Sequence, residues 1–333
     1  MRLAIAGAGM TGAYLYRLLK NEGCEAQLFD REQRGGCGLK PCAWGTSAGF
    51  VELVERAGLP TERYILSRLD HVVIDDVRIR AELITFDKPR LVGDLIAGAD
   101  IRCAPLPVEG FDRVIDATGA ARSLLPPVAD DIVLECCQYL VETEEELENR
   151  IRLGGVGYAW CFPLSRNRYH LGCGSLVADP QRILERLGWL ESASPRFGRK
   201  IQCRCSGKIR LTGPHCSRPF VADGCRDGIW GIGEAIGCVA PLAGDGIVPG
   251  MRSVQLLLDN WNAPQRYREA LLDEFGWMKA ERGVVDALRR GERMGVREAL
   301  VLRRNSRRMG MQVGLRQAAA FLKNLTQQRG GGL

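Results

Sequence analysis

Two glycine-rich turns carry most of the residues whose types and spacing can do chemistry. The first is Gly7-Ala8-Gly9-Met10-Thr11-Gly12, between an apolar run at residues 2–6 and a helix-forming stretch at 11–21. In such a turn the first glycine permits the tight bend, the second lets a pyrophosphate approach the backbone, and the third lets helix and strand pack closely. The N-terminus of the helix, at Met10 and Thr11, then faces the phosphates. Asp30 ends the next strand, 18 residues after Gly12, where a carboxylate accepts hydrogen bonds from a ribose diol. Arg31 beside it tolerates a 2′-phosphate, so this motif alone leaves the dinucleotide open. The second turn, Gly231-Ile232-Gly233-Glu234-Ala235-Ile236-Gly237, is followed by Pro241-Leu242-Ala243-Gly244-Asp245-Gly246-Ile247. Glu234 at the strand end suits a polyol hydroxyl, and the N-terminus of a helix starting near Asp245 stabilises negative charge.

Other chemistries find less support. The three histidines, His71, His170 and His215, are scattered and form no Ser-His-Asp or metal pattern. Thirteen cysteines, odd in number and irregular in spacing, do not read as a disulfide framework; reduced thiols of a cytosolic protein fit better. Cys136-Cys137 and Cys203-x-Cys205 lack the second half of a zinc site.

The elements that must position these turns follow from pattern and length. A chain of 333 residues, 46% hydrophobic and 26% charged, is an ordinary globular composition and excludes collagenous or disordered classes. The opening residues superficially resemble a signal peptide, but glycines break the apolar run at once, and no uncharged run approaches the ~20 residues that span a bilayer. Strand, glycine turn, helix and strand over residues 2–29 make a βαβ opening. Segments at 71–74, 77–80 and 82–86 alternate as antiparallel strands, with Asp75-Asp76 as a turn. A helix at 89–97 and strands near Ile101 and Val114 return to the parallel pattern. Strands at 132–142, 157–162, 169–176 and 201–209, with a helix at 180–190, form a second sheet. A buried strand at 228–232 leads to a helix at 245–260, and the chain is helical and basic from Pro264. The expected organisation is a discontinuous nucleotide-binding domain (1–60, 88–130 and 215–261), a substrate-facing domain (61–87 and 131–214) and a basic helical region (262–333).

The net charge of +6 resides in that last region, where 15 lysines and arginines face 7 acids, leaving −2 for the rest. Arg289, Arg290, Arg293, Arg297, Arg303, Arg304, Arg307 and Arg308 interleave with Met294, Val296, Leu300, Val301, Leu302 and Met309. Such a stretch suits an anionic membrane surface or a plain solvated helical face. It does not suit nucleic acid, which wants interleaved aromatic rings.

Both glycine fingerprints resemble those of the p-hydroxybenzoate hydroxylase-like flavoproteins, and further stretches resemble one branch, the geranylgeranyl reductases. Lys40-Pro41-Cys42-Ala43-Trp44-Gly45 is similar to their Lys-Pro-Cys-Gly segment, and Tyr158-Ala159-Trp160-Cys161-Phe162-Pro163 to their Tyr-x-Trp-x-Phe-Pro signature. Gly172-Cys173-Gly174, Asp116-Ala117-Thr118-Gly119 and the run from Gly246 to Ser253 resemble further family segments, so the resemblance covers roughly residues 1–280. It departs at Trp44, where glycine or an acid is usual, at Glu234 in place of aspartate, and in a short substrate region.

The resemblance implies an α/β fold: a Rossmann-like FAD-binding domain with an inserted antiparallel-sheet substrate domain and a C-terminal helical segment. It implies FAD as cofactor, held by the first turn with Asp30 and Arg31, by Cys42 to Gly45, by Ala117 and Gly119, and by Gly233, Glu234, Pro241 and Gly244 to Ile247. The implied activity is saturation of carbon-carbon double bonds of isoprenoid chains on membrane lipid precursors, with electrons from ferredoxin or NADPH. Cys42, ordinarily a small buried hydrophobe, would then be a proton donor or gate beside the flavin. Tyr158, Trp160 and Phe162, which alternate along a strand and share one side, would be walls of a lipid channel rather than plain core. The alternatives are a monooxygenase of the same fold and a catalytically silent flavin- or lipid-binding protein. A cytoplasmic, peripheral membrane location is expected.

Overall fold

The computed structural model describes residues 1–31, 42–47, 49–104, 106, 108–190 and 199–327. Lys40, Pro41 and the glycines at 330–332 lie outside the described residues. Along the chain come β1 (Leu3–Ala6), α1 (Met10–Asn21), β2 (Gln27–Phe29), β3 (Gly45–Ser47), α2 (Gly49–Arg56), β4 (Ile65–Ile74), β5 (Val77–Phe86), α3 (Lys88–Leu95), β6 (Ile101–Arg102) and β7 (Arg113–Asp116). Then follow β8 (Val133–Thr143), β9 (Arg150–Leu153), β10 (Gly157–Ser165), β11 (Arg168–Ser175), α4 (Pro180–Arg186), β12 (Arg199–Arg210), β13 (Val221–Ala222) and β14 (Ile229–Gly231). The chain ends in α5 (Ile247–Asp259), α6 (Pro264–Glu274), α7 (Met278–Arg290), α8 (Val296–Arg308) and α9 (Leu315–Gln327).

The first sheet has the order β13-β14-β7-β1-β2-β6. Every residue of β1 and β7 is buried, as expected of central parallel strands covered on both faces. Here α1 and α5 cover one side, and Leu15, Leu18, Met251 and Val254 join the same apolar cluster as the strands. The second sheet, β12-β8-β11-β10-β9-β4-β5-β3, collects strands from both sides of the first sheet's segments. Its β3 pairs with β5, so this sheet begins within residues 1–60.

Along β10 the side chains divide by parity. Ala159 and Cys161 join Tyr139, Leu171 and the α4 residues Ile183 and Leu184 in one cluster, while Tyr158, Trp160 and Phe162 face the other way, into a cavity. The segments expected at 77–80 and 82–86 are one strand, β5, because Ala81 is buried and small enough to continue it. The chain after α8 also hooks onto this strand: Glu82 N–H donates to Gly310 O at 2.8 Å and Gln312 N–H to Arg80 O at 2.9 Å. The C-terminal helices are thereby tied across the open face of the second sheet, where Val284, Leu288, Phe321 and Leu325 pack with Ile74, Leu83 and Val156.

Candidate active site

A cavity of about 1530 Å³ is lined by both sheets and the C-terminal helices. At one end lies the first glycine turn. Gly7 has φ 106°, and a Cβ there would lie 2.4 Å from Ala117 O; one on Gly12 would lie 2.0 Å from Gly7 O. Both positions need glycine for α1 to sit against β1 and β7. Gly9 differs, since a Cβ there meets nothing within 4 Å, so the space beside the α1 N-terminus is open. Gly9 caps α1 without a side chain, which leaves the first-turn N–H groups of Met10, Thr11 and Gly12 free to face an anion. Asp30 accepts the Ala8 N–H at 3.2 Å and the Arg31 N–H at 2.7 Å, one on each oxygen, and both oxygens keep lone pairs for a diol. Arg31, Ala117 and Gly119 complete this end. The cradle fits a diphosphate joined to a ribose.

The second turn packs directly on the first. A Cβ on Gly233, where φ is 63°, would lie 2.8 Å from Thr11 Oγ1, and one on Gly250 would lie 2.6 Å from the same atom. Thr11 is therefore pinched between two glycines, which fixes α1 against α5. The Glu234 carboxylate lines the cavity and accepts the Arg210 N–H at 2.7 Å. Behind it, Arg210 makes a salt bridge of 2.8 Å with Asp131, and buried Arg122 donates to Pro126 O at 2.6 Å, Pro219 O at 2.7 Å and Ala235 O. Burial alone would raise the Asp131 carboxyl, but hydrogen bonds from Arg210 and Thr212 outweigh it and hold the group below its usual range.

Pro241, Gly244, Asp245, Gly246 and Ile247 all line the cavity. The cap of α5, Gly246, has no side chain, and the Ile247 N–H donates to Asp245 Oδ1 at 2.9 Å. Burial, opposed only by that bond, pushes the Asp245 carboxyl up to about 6. Tyr158 donates its hydroxyl to Ala243 O, and burial with the nearby Asp245 charge raises its phenol well above the ordinary value.

Cys42, Ala43 and Gly45 line the cavity, whereas Gly12, Trp44 and Gly233 pack the elements that do. Trp44 holds φ 55°, a left-handed conformation that costs a bulky residue of order 1–3 kcal/mol. Its ring is buried edge-on against His170, centroids 4.5 Å apart, and His170 Nδ1 lies 3.4 Å from Ala43 O. Burial lowers the His170 pKa to about 4. A base depressed in the fold binds fewer protons folded than unfolded between about pH 6.5 and 4, so this group's contribution to stability falls as pH drops through that window, by roughly 3 kcal/mol at its foot, against the opposite contributions of the raised Asp245 and Glu281 carboxyls. His170→Phe should therefore gain stability relative to wild type as pH drops from about 7 to 4 in urea titrations, and a stability difference constant across that range would show that His170 does not titrate there.

Trp160 and Phe162 begin the apolar part. A Cβ on Gly172 would sit 2.2 Å from the Trp160 ring, so this glycine on the paired strand makes room for the indole. Beyond, Leu288 of α7, Leu302 of α8 and Phe321 and Leu325 of α9 close the lobe, with Met309 and Met311 alongside. The sequence places Leu302 and Met309 in a surface stripe and gives no sign of the others here, because helical periodicity does not say what an apolar face covers. Val301 and Leu302 pack inward and Arg308 is engaged by buried Glu281 at 2.8 Å, while Val296 and Leu300 remain exposed. Among the described residues no cluster of three metal-binding side chains occurs, no cysteines are bridged, and no helix is long and apolar enough to cross a membrane.

No family model matches the chain. It is 24% identical over 343 residues to an uncharacterized protein of Methanocaldococcus jannaschii, covering 86% of this chain and 91% of that protein. It is 24% identical over 296 residues to digeranylgeranylglycerophospholipid reductase 1 of Methanopyrus kandleri, covering 74% and 76%. A geranylgeranyl bacteriochlorophyll reductase-like protein from Thermoplasma acidophilum superposes with a TM-score of 0.70 at 14% identity, covering 98% of this chain and 91% of that one. A probable FAD-dependent monooxygenase from Pseudomonas aeruginosa, PqsL, superposes at 0.59 with 17% identity, covering 97% and 99%. The fold is that of the p-hydroxybenzoate hydroxylase-like FAD flavoproteins.

Proposed function

We propose that this chain is an FAD-dependent reductase that saturates double bonds of geranylgeranyl-type isoprenoid chains on membrane lipid precursors. The observation that carries the reading is one continuous cavity, glycine-rich and open at one end to the N-termini of α1 and α5, whose cap residues Gly9 and Gly246 carry no side chain, and apolar at the other. The first turn, Asp30, Glu234 and the run Pro241 to Ile247 would hold the cofactor. When bound and reduced, FAD supplies a hydride equivalent. The chain's own part is to bind the diphosphate at α1, to align the isoprenoid against Trp160 and Phe162, and to keep water out with the roof of α7, α8 and α9. Likeness to a reductase of geranylgeranyl lipids supports the substrate class.

Exposed Val296 and Leu300, one turn apart on α8 among Arg297 and Arg304, support docking on an anionic surface, where each basic residue contributes about 1 kcal/mol. With a strong chemical reductant under argon, the protein should therefore reduce a geranylgeranyl glycerolipid in anionic vesicles, adding two hydrogens per bond by mass spectrometry. The rate should drop several-fold in neutral vesicles or high salt. Equal rates in both vesicle types would remove the docking part, and no mass gain in either would defeat the reductase assignment. The likeness to a probable monooxygenase favours a second reading, which predicts an oxygenated product in air instead.

A further inference from the structure

We propose that Asp245 is the acid that protonates the alkene carbon opposite the one receiving hydride, a role that rests on the reductase reading above. An isolated alkene is a poor hydride acceptor, so an acid must deliver its proton early or together with the hydride. Of the three carboxylates lining the cavity, Asp30, Glu234 and Asp245, two are fitted for holding negative charge. Asp30 takes two backbone N–H bonds beside Arg31, and Glu234 takes one beside the Arg210 guanidinium. Asp245 takes a single N–H on Oδ1, while Oδ2 has no hydrogen-bond partner and no cation contacts the group among the described residues.

Its surroundings favour the protonated form. Burial pushes the carboxyl up to about 6, so near neutral pH a fraction is a neutral acid, which is what a proton donor to carbon requires. The other titratable groups facing the cavity nearby are weaker donors or are engaged. Tyr158 of β10 is raised by burial and already donates to Ala243 O. Cys42 carries a thiol, ordinarily less acidic than a carboxyl. Lys208 of β12 pairs with Glu135 at 3.5 Å. Position agrees with chemistry, because Asp245 joins the second glycine turn to α5, and Tyr158, the first aromatic of the apolar wall, hydrogen-bonds Ala243 two residues before it. In the balanced step the double bond gains a hydride from the reduced cofactor and a proton from Asp245. The cofactor is oxidised by two electrons, the alkene is reduced by two, and the carboxylate left behind is reprotonated from water.

The test follows single-turnover reoxidation of chemically reduced, FAD-loaded protein by a geranylgeranyl glycerolipid between pH 5 and 9, with infrared difference spectra of the resting protein alongside. Wild type should slow as pH rises past the carboxyl's titration. Asp245→Asn should keep its flavin, reoxidise at least about 100-fold slower and lose that pH limb. The resting protein should show a protonated-carboxyl band below the titration that Asp245→Asn lacks. Wild-type rates in Asp245→Asn, or a pH limb removed by Cys42→Ala but kept by Asp245→Asn, would overturn the assignment. Buried Glu281, whose carboxyl is also raised, to about 7, keeps its own band in the variant, so the assignment falls if Asp245→Asn removes no band at all, and this readout stands even if that variant loses its flavin. Wild-type protein that is never reoxidised by the lipid would instead bring down the reductase reading, and this role with it.

Discussion

Gly12→Val is expected to give no folded protein, whereas Gly9→Val is expected to fold normally and purify without colour. Both glycines belong to one turn, but their surroundings differ. A Cβ on Gly12 would lie 2.0 Å from the Gly7 carbonyl oxygen, and α1 cannot retreat without losing its packing on β1; a Cβ on Gly9 meets nothing within 4 Å. The first change is a backbone clash in the core and belongs with the rare substitutions that cost more than about 4–5 kcal/mol. The second fills only the space beside the free N–H groups of α1. Flavin per folded protein should fall at least tenfold, while urea unfolding of the flavin-free protein matches flavin-free wild type. Holo-protein should still melt lower, because lost binding removes its linked stabilisation. A yellow, stoichiometric Gly9→Val protein would show that the diphosphate does not sit at this turn.

Arg210→Ala should be the most damaging change outside the two glycine turns. Its side chain is 5% exposed and binds the Asp131 carboxylate with Nε at 2.9 Å and Nη2 at 2.8 Å, with Ala120 O at 3.0 Å from Nη2. Removing one partner of such a pair strands the other, at a cost of about 3 kcal/mol. The turn carrying Glu234 would also lose its backing, so flavin affinity should fall with stability. The pH signature separates this pair from His170. The Asp131 carboxyl is depressed in the fold, so its stabilisation is present above the ordinary carboxylate value and is lost as pH falls below it. Arg210→Ala should flatten that lower limb and leave the His170 contribution between about pH 4 and 6.5 unchanged. Equilibrium unfolding across pH 2.5–7 reads both, and a lower limb equally steep in the variant would disprove the pairing.

The first turn was legible because its information is local: three glycines and an acid at fixed offsets, bounded by a strand and a helix. The second turn and the parity of Tyr158, Trp160 and Phe162 could be read for the same reason. Three features could not. Nothing in the sequence near Trp44 announces a left-handed backbone, because the conformation is imposed by His170 and Phe86, far along the chain. The sequence places Thr11 at the phosphate-facing end of α1 but not its packing role, which comes from Gly233 and Gly250, residues that reach it only in the fold. The C-terminal helices read as an amphipathic surface stripe since periodicity reports that one face is apolar without saying what it covers. Leu302 and Phe321 turn out to face a cavity built by strands far earlier in the chain, and Val301 packs beside them.

The placement of β1 between β2 and β7, with β14 beyond, sets a schedule for biosynthesis. The sheet that supports the nucleotide end is begun by β1 but lacks its β14 partner until about 220 residues later. At ordinary elongation speeds that interval is between roughly 10 and 45 s, far longer than a hairpin or helix needs to form. Through its second half, once β7 has been made, the edge of β7 has no neighbour on its outer side, and α1 lacks the helix that pins Thr11. Nascent chains should therefore rely on holding chaperones until α5 emerges, and yield should respond more to slower translation or chaperone supply than to added cofactor.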